Sequence, residues 1–176
     1  GKALGSSNLR GAESSIMAKI PHNTHPLVKA KKSGIHGFGG YARKPIKKGK
    51  RIIEYTGPLI SKEEAALELK EQNEYVFTLN EDEDIDGSVL WNLARYLNHS
   101  CDPNCESEIK KGQVWIYATR SIEKGEELAY NYGYELDGFE DRPCCCGADC
   151  CQGYMVGDEH FKTLKKRLNK KKKATS

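Results

Sequence analysis

The stretch that most constrains the fold runs from Asn92 to Cys105, with the sequence NLARYLNHSCDPNC. Leu93, Tyr96 and Leu97 recur at near-helical spacing, so the first half can bury one side as a short helix. The second half is almost entirely polar, and the Asp-Pro pair at 102–103 favours an extended or turn conformation. A buried helix that runs into such a turn fixes polar side chains at its end, where a ligand can reach them. Taken alone, the stretch also fits an ordinary helix end followed by an Asx-rich turn.

Length and hydropathy limit the class of protein. The chain has 176 residues, which suits one domain with a core of its own. Residues 1–16 lack hydrophobic periodicity and precede Met17, and we expect them to be a remnant of protein expression outside the fold. No apolar run approaches the roughly eighteen residues of a membrane span, and no signal-peptide pattern is present. We therefore expect a soluble, intracellular protein without a membrane partner.

The positive charge is concentrated at the C-terminus. Residues 161–176 contain eight basic residues and no acidic ones, which leaves 20 basic against 25 acidic residues before them, a net charge of −5. The simplest interpretation is a solvated, frayed terminus. The alternatives are contact of this tail with nucleic acid and attraction of a basic substrate to the acidic body.

Turn residues divide the rest of the chain into short segments. Ser61 to Glu64 forms a capping box, which predicts a helix to about Asn73. The glycine-rich segment 33–40 predicts either a loop that permits positive φ and close approach of a ligand or a flexible hairpin. The acidic run 81–84 predicts a solvated turn, with steering of a basic substrate as the alternative. Alternating or β-branched patterns predict strands at 27–32, 41–42, 51–55, 75–79, 113–118 and 127–132. The sequence thus predicts one mainly β domain with one or two short helices.

All seven cysteines lie at or after Cys101. Without a secretory signal, so tight a cluster favours metal binding over disulfides. The adjacent Cys144, Cys145 and Cys146 are also poorly placed to bridge one another. A metal-binding segment near the C-terminus is therefore expected.

Four separated stretches, SGIHGFGGYA, RYLNHSCDPNC, GEELAYNY and CCCGADCCQGY, resemble in order and spacing the signature of SET-domain protein lysine methyltransferases with a post-SET zinc segment. The resemblance covers about residues 27–154. It implies small β-sheets wound around a pseudoknot, followed by the zinc segment. The implied divisions are a SET domain over 17–136, a post-SET segment over 137–157 and a basic tail over 158–176.

The resemblance also implies S-adenosylmethionine as the methyl donor. Asn98 and His99 would lie at the chain crossing and hold it, with neutral acceptors near its ammonium group. We expect the His99 imidazole to be neutral and structural, so that its backbone binds the adenine edge. The implied cofactor-binding residues are Gly37, Phe38, Gly39, Tyr41, Arg95, Asn98, His99, Tyr132 and Tyr154.

Tyrosines are expected to provide the chemistry. The attacking amine must be neutral, although free lysine has a pKa of about 10.4. An apolar channel and a positively charged sulfur both disfavour the ammonium, which leaves alignment as the main task. The resemblance implies Tyr132 as the catalytic tyrosine, Tyr55 as a second channel tyrosine and Tyr130 as the residue that sets the number of methyl groups. A hydroxyl at Tyr130 favours mono- or dimethylation. Ordinary core packing is the alternative for each tyrosine.

The same resemblance implies that Cys101, Cys144, Cys146 and Cys151 hold a structural Zn²⁺ in a closed Cys₄ site. Cys145 and Cys150 leave this assignment open, because either could replace a neighbour. Cys105 is expected to be a buried core residue. Two departures, Trp91 in place of a small residue and Val89 where arginine is frequent, put substrate recognition in doubt.

The hypothesis is therefore an S-adenosylmethionine-dependent protein lysine N-methyltransferase that acts on a histone or another basic protein. An alternative from a different class is a catalytically idle, zinc-stapled module that binds peptide or chromatin. Nucleic-acid or nucleosome contact through the basic tail would add to either. The expected location is the nucleus or chromatin, or a bacterium whose protein acts on host or own basic proteins.

Overall fold

The computed structural model describes residues 25–33, 37–71 and 73–174. These residues form ten β-strands, two α-helices and three short 3₁₀ helices. The strands are β1 (Val28–Lys32), β2 (Phe38–Ala42), β3 (Arg51–Tyr55), β4 (Leu59–Ser61), β5 (Val76–Thr78), β6 (Glu83–Asp86), β7 (Asn98–His99), β8 (Cys105–Lys110), β9 (Gln113–Ala118) and β10 (Glu127–Tyr130). The α-helices are α1 (Lys62–Lys70) and α2 (Phe161–Ala174), and the 3₁₀ helices are Leu93–Tyr96, Phe139–Asp141 and Asp158–His160.

The strands form two sheets. The larger has the order β1-β2-β10-β8-β9-β3, with β7 paired to β10 beside this path, and the smaller has the order β4-β6-β5. Strand β10 is antiparallel to β2 and parallel to both β7 and β8. The predicted mainly β fold class is confirmed.

The core lies where the strands alternate most regularly. In β9, Val114, Ile116 and Ala118 are at most 1% exposed, because successive side chains of a strand point to opposite faces. Leu97 and Leu128 complete the same cluster. The short strand β7 therefore begins directly beside the most buried part of the protein.

A side chain extends the pairing between the start of β8 and β10. The Asn104 Oδ1 accepts a hydrogen bond from the Ala129 amide at 2.9 Å, and its Nδ2 donates to the Glu127 carbonyl at 2.7 Å. The amide of Asn104 thus satisfies backbone groups of β10. This arrangement holds the polar stretch 98–105 against β10.

The capping box is confirmed. The Ser61 Oγ accepts from the Glu64 amide at 3.2 Å, and the Glu64 carboxylate accepts from the Ser61 amide at 2.8 Å. Helix α1 ends at Lys70, before the predicted end near Asn73.

Two predicted loops are partly wrong. Glu83 and Asp84 belong to β6, and Asp84 is buried with the Lys62 Nζ 2.5 Å from its carboxylate. Strand β2 begins at Phe38, so Gly39 lies in a strand, where an added Cβ would lie 2.3 Å from the Glu127 Oε1. Strands β1 and β2 pair antiparallel on either side of this segment, as the hairpin alternative predicts. Both errors depend on partners distant in sequence. Residues 34–36 of the predicted glycine loop and residues 1–24 lie outside the described residues.

The predicted helix at the start of the central stretch is a single 3₁₀ turn, Leu93–Tyr96. The interpretation of the C-terminus as frayed is wrong for the described part, because residues 161–174 form α2. Leu164 of α2 is fully buried against Phe139 and Val156. The predicted post-SET segment and tail therefore share one small core, and the predicted boundaries stay predictions. In the described part of the chain, no helix is both long and apolar enough to cross a membrane.

Candidate functional site

The three predicted catalytic tyrosines lie in one aromatic cluster. The rings of Tyr130 and Tyr132 are 4.9 Å apart between centroids, because alternate residues at the end of β10 share a face. Phe77 of β5 connects them to Tyr55, with centroids 6.5 Å from Tyr130 and 5.2 Å from Tyr55. Tyr134, 5.7 Å from Tyr132, extends the cluster. Tyr134 is not among the site residues predicted from the sequence, although the spacing of Tyr130, Tyr132 and Tyr134 continues the same alternation.

Two hydroxyls of the cluster donate to backbone carbonyls. The Tyr132 Oη lies 3.0 Å from the Leu97 carbonyl, and the Tyr55 Oη lies 2.7 Å from the Tyr75 carbonyl. Gly87 leaves room for Tyr55, since an added Cβ would lie 2.3 Å from its hydroxyl oxygen. These bonds fix the phenol rings while leaving oxygen lone pairs available as acceptors.

The phenols of the cluster are neutral. Burial raises the pKa of Tyr55, Tyr130 and Tyr132 well above the ordinary value of 10. A wall of neutral hydroxyls and aromatic faces disfavours a charged ammonium but can accept hydrogen bonds from an amine. The cluster is therefore suited to a lysine side chain in its uncharged form.

A second group of side chains meets around Glu127 of β10. The Asn98 Nδ2 donates to the Glu127 Oε1 at 2.8 Å and to the Phe38 carbonyl at 3.2 Å. The Tyr41 hydroxyl donates to the other carboxylate oxygen at 2.8 Å. The structure thus brings together three predicted cofactor-binding residues around a carboxylate that the sequence analysis did not single out. The signal for it was the carboxylate pair of the GEEL motif.

His99 connects the two groups. Its Nδ1 accepts from the Tyr132 amide at 3.2 Å, and its ring meets the Tyr132 ring edge-on at 5.4 Å. Burial lowers the pKa of His99 to about 4, so the imidazole is neutral and carries its proton on Nε2. This state agrees with the expectation of a structural imidazole.

The backbone of β7 is paired on one edge. Within the described residues β7 pairs only with β10, and the Ser100 amide donates to the Tyr130 carbonyl at 3.1 Å. In a parallel pair of this register, the N–H and C=O of His99 face the other edge. A planar ligand edge with one donor and one acceptor can pair there.

Three other predicted cofactor-binding residues have different contacts. The Arg95 guanidinium lies 4.0 Å over the Tyr75 ring and donates to the Ser88 carbonyl, and its buried Nε has no hydrogen-bond partner within the described residues. Tyr154 packs edge-on against Phe139 at 4.9 Å between centroids. Gly37 is exposed with a φ of +41°. No hydrogen bond joins these residues to Asn98 in the part of the chain described.

The four predicted metal ligands form one cluster. The sulfur atoms of Cys101, Cys144, Cys146 and Cys151 all lie within 4.8 Å of one another. The Cys101–Cys144 sulfur distance is 3.9 Å, close to the roughly 3.8 Å that tetrahedral Zn–S bonds of about 2.3 Å require. Backbone amides of Cys101 and Gly153 donate to sulfurs of this cluster, which stabilises thiolates. These donors fit Zn²⁺, and the metal itself stays a prediction.

The other cysteines lie outside this set. Cys145 and Cys150 are exposed, and Cys105 is fully buried as expected. The geometry thus favours the predicted assignment over one in which an exposed neighbour replaces a ligand.

Comparison with known proteins gives consistent matches. The sequence model of the SET domain matches residues 37–133. "Histone-lysine N-methyltransferase trr" of Drosophila melanogaster is 38% identical over 154 residues, which is 82% of this chain and 6% of the relative. "Histone-lysine N-methyltransferase, H3 lysine-4 specific" of Yarrowia lipolytica is 39% identical over 139 residues, or 73% of this chain and 12% of the relative. "Histone-lysine N-methyltransferase 2D" of Homo sapiens is 40% identical over 134 residues, or 70% of this chain and 2% of the relative. The chain therefore spans only a small part of each relative's length.

Proposed function

This chain belongs to the SET-domain family of protein lysine methyltransferases, and from that premise we propose that it transfers a methyl group from S-adenosylmethionine to a lysine of a histone or another basic protein. One observation carries the proposal. The neighbours Asn98 and His99 in β7 contact different groups, since Asn98 bonds Glu127 and Phe38 while His99 bonds the amide of Tyr132. Adjacent residues of one strand therefore connect the proposed site of the methyl donor to the tyrosine cluster.

The residues around β7 fit the cofactor. The Asn98 Oδ1 has no hydrogen-bond partner among the described residues, so it is free to accept from an ammonium group. The unpaired edge of His99 suits the adenine, and carbonyls of 37–39 would add acceptors. When bound, S-adenosylmethionine supplies the electrophilic methyl group. The predicted contacts of Tyr41, Arg95 and Tyr154 with it remain proposals.

The tyrosine cluster would receive the lysine. Its neutral phenols exclude water and favour the uncharged amine, while the Tyr132 oxygen keeps a lone pair to accept from it. Because Tyr55, Tyr130 and Tyr132 are held by burial and backbone bonds, they would align the amine without reorganising. Along its second edge, β5 has no strand partner in the described residues, which suits an extended peptide.

The test is methyl transfer with Tyr132→Phe. The purified protein should methylate histone H3, which the names of relatives suggest as the first substrate to try, and a histone substrate would place the protein on chromatin. Loss of the hydroxyl should lower activity at least about 100-fold, because alignment of the amine is the main catalytic contribution. Tyr117→Phe, a β9 tyrosine outside the cluster, is the matched control.

Full activity of Tyr132→Phe would remove that tyrosine from its role. Calorimetry with S-adenosylmethionine separates the enzyme from the idle zinc-stapled module, because only the enzyme is expected to bind it. Retained binding by Tyr132→Phe together with lost transfer would support both parts of the proposal.

Mono- or dimethylation is the proposed product. The Tyr130 ring lies within the cluster, next to Phe77 and Tyr132, and it carries a hydroxyl that phenylalanine would lack. Removal of this hydroxyl in Tyr130→Phe should enlarge the space for the amine and shift the products toward trimethyl-lysine. Mass spectrometry of a modified H3 peptide measures this shift, and an unchanged product distribution would contradict the assignment.

A specific observation supports nucleic-acid contact through the basic segment. Lys162, Lys166 and Lys170 follow one another at i, i+4 spacing on α2, and all three are exposed. Like charges at this spacing destabilise a helix, and no ion pair relieves these three within the described residues. Phosphates of DNA or RNA would relieve the repulsion, which fits a chromatin-associated enzyme.

Salt dependence of DNA binding tests this contact. Changing all three lysines to Gln should reduce the slope of log K against log salt by about 3. The matched control changes the exposed Lys47, Lys48 and Lys50 to Gln, with the same loss of charge elsewhere. Equal slopes for the two triple variants would contradict a role for α2.

A further inference from the structure

Glu127 receives more hydrogen bonds than its place in β10 requires. Its carboxylate accepts from the Tyr41 hydroxyl at 2.8 Å, from the Asn98 Nδ2 at 2.8 Å and from the Ser33 hydroxyl at 3.2 Å. Tyr41 and Ser33 are at most 9% exposed. Three donors from β7, β2 and the segment after β1 thus converge on one carboxylate.

This convergence fixes the orientation of the Asn98 amide. A carboxylate and a carbonyl only accept hydrogen bonds, so both Glu127 and Phe38 require the NH₂ end of Asn98 to face them. The Oδ1 then faces away from these two groups, and it has no partner among the described residues. An acceptor held in one orientation by two fixed neighbours is preorganised for a donor.

We propose that Glu127 is a positioning residue that presents the Asn98 Oδ1 to the α-ammonium group of the methyl donor. The inference rests on the proposed function, because it requires S-adenosylmethionine in this site. It assigns Glu127 an effect on the amino-acid end of the cofactor and none on the nucleoside end.

Gly39 is part of the same arrangement. An added Cβ at Gly39 would lie 2.3 Å from the Glu127 Oε1 and 3.0 Å from the Tyr41 ring. Glycine therefore leaves the space in which the carboxylate sits between Tyr41 and Asn98. This gives Gly39 a steric role in addition to any contact of its backbone with the cofactor.

Glu127→Gln tests the proposal with a nearly isosteric change. Gln keeps one oxygen and replaces the other by an NH₂ group, so the charged acceptor that holds the NH₂ end of Asn98 is lost and the Asn98 amide is oriented less strictly. Binding of S-adenosylmethionine should weaken by about tenfold or more, as for loss of one hydrogen bond to a charged group. Binding of 5′-methylthioadenosine, which lacks the amino-acid part, should change by less than about twofold. Calorimetry measures both.

Two further variants make the result specific. Tyr41→Phe removes one donor to the carboxylate and should cause a smaller selective loss, of about threefold. Glu106→Gln, an exposed substitution on β8 with the same change of charge, should bind both ligands like the unchanged protein.

The outcomes separate the two proposals. If the unchanged protein binds neither ligand, the proposed function fails and this inference with it. If the unchanged protein binds both, but Glu127→Gln weakens both equally or neither, the positioning role is overturned while the function stands.

Discussion

The β body, residues 25–130, and the C-terminal segment, residues 131–174, are held together by different means. The body has a large core in which Leu97, Ile116 and Leu128 are fully buried among paired strands. In the described part of the C-terminal segment, the buried cluster contains only Phe139, Val156 and Leu164, and its strand pairing is the single bridge between Pro143 and Tyr154. So small a core buries little apolar surface.

The difference shows what the cysteine cluster contributes. Three of its four cysteines lie in the segment, and the fourth, Cys101, follows β7 of the body. A metal bound there would supply the cohesion that the small core lacks. It would also fix the segment two residues from His99, beside the proposed cofactor site.

Removing the metal should have the largest effect of the changes considered. The loss of hydrogen-exchange protection should be confined to the C-terminal segment. Zinc chelation or Cys144→Ser should lower hydrogen-exchange protection in residues 144–164 by more than about 100-fold, because structural zinc contributes roughly 10 kcal/mol or more. Protection in β9 should change by less than about threefold. Elemental analysis should find one Zn²⁺ per chain before chelation.

Cys145→Ser is the control for this prediction, since its side chain is exposed and lies outside the four-sulfur group. Equal loss of protection in β9 and in the segment would show that the two regions unfold as one unit. Absence of zinc would contradict the assignment of the cluster.

Truncating one buried leucine in each region should have a smaller effect on stability. The two variants should differ in which residues exchange their amide hydrogens faster. Leu164→Ala and Leu128→Ala each remove a fully buried side chain and should each cost about 2–4 kcal/mol. For Leu164 the cost should appear as faster exchange in α2 and around Phe139 alone. For Leu128 it should appear across β2, β8 and β9. The same hydrogen-exchange pattern in the two variants would show that the two regions are not stabilised independently.

Removing the cap of α1 should have the smallest effect. Ser61→Ala removes the bond from the Glu64 amide to the Ser61 Oγ but keeps the bond from the Ser61 amide to the Glu64 carboxylate, and it should lower the melting temperature by about 2–4 °C. The bond from the Ser61 amide lowers the pKa of Glu64. The stabilisation from that bond should therefore be present in both proteins at neutral pH and be lost as the pH falls through the folded-state pKa. Ser121→Ala, at an exposed position between strands, is the control. Thermal melts at neutral pH and at a pH below the folded-state pKa of Glu64 measure the effect.

Local patterns predicted those elements whose determinants lie within a few residues. Strand β9 alternates buried and more exposed side chains, and the cap of α1 needs only Ser61 and Glu64. The errors concern elements that depend on distant partners. Asp84 is buried because Lys62 of α1 pairs with it, and α2 is ordered because Leu164 meets Phe139 and Val156.

The residues of the candidate site also fall into those that local motifs predict and those that depend on distant partners. Asn98, Tyr132 and the four cysteines could be named from motifs. The structure places the four sulfur atoms within 4.8 Å of one another and bonds the Tyr132 amide to His99, the neighbour of Asn98. Glu127 and Tyr134 were missed because their importance lies in the groups they meet. The positions of Arg95 and Tyr154 could not be read from the motifs either, since the packing of Tyr75 and Phe139 determines them.

The location of β10 in the larger sheet has a consequence for synthesis of the chain. β10 lies between β2 and β8, and its Glu127 bonds Tyr41, 86 residues earlier. During synthesis the larger sheet therefore cannot form completely until β10 has been made. Until then β2 and β8 each have an unpaired edge. Fragments that stop before Glu127 should aggregate where the longer chain folds, and a ribosome-bound intermediate of this protein would be a natural client for a chaperone.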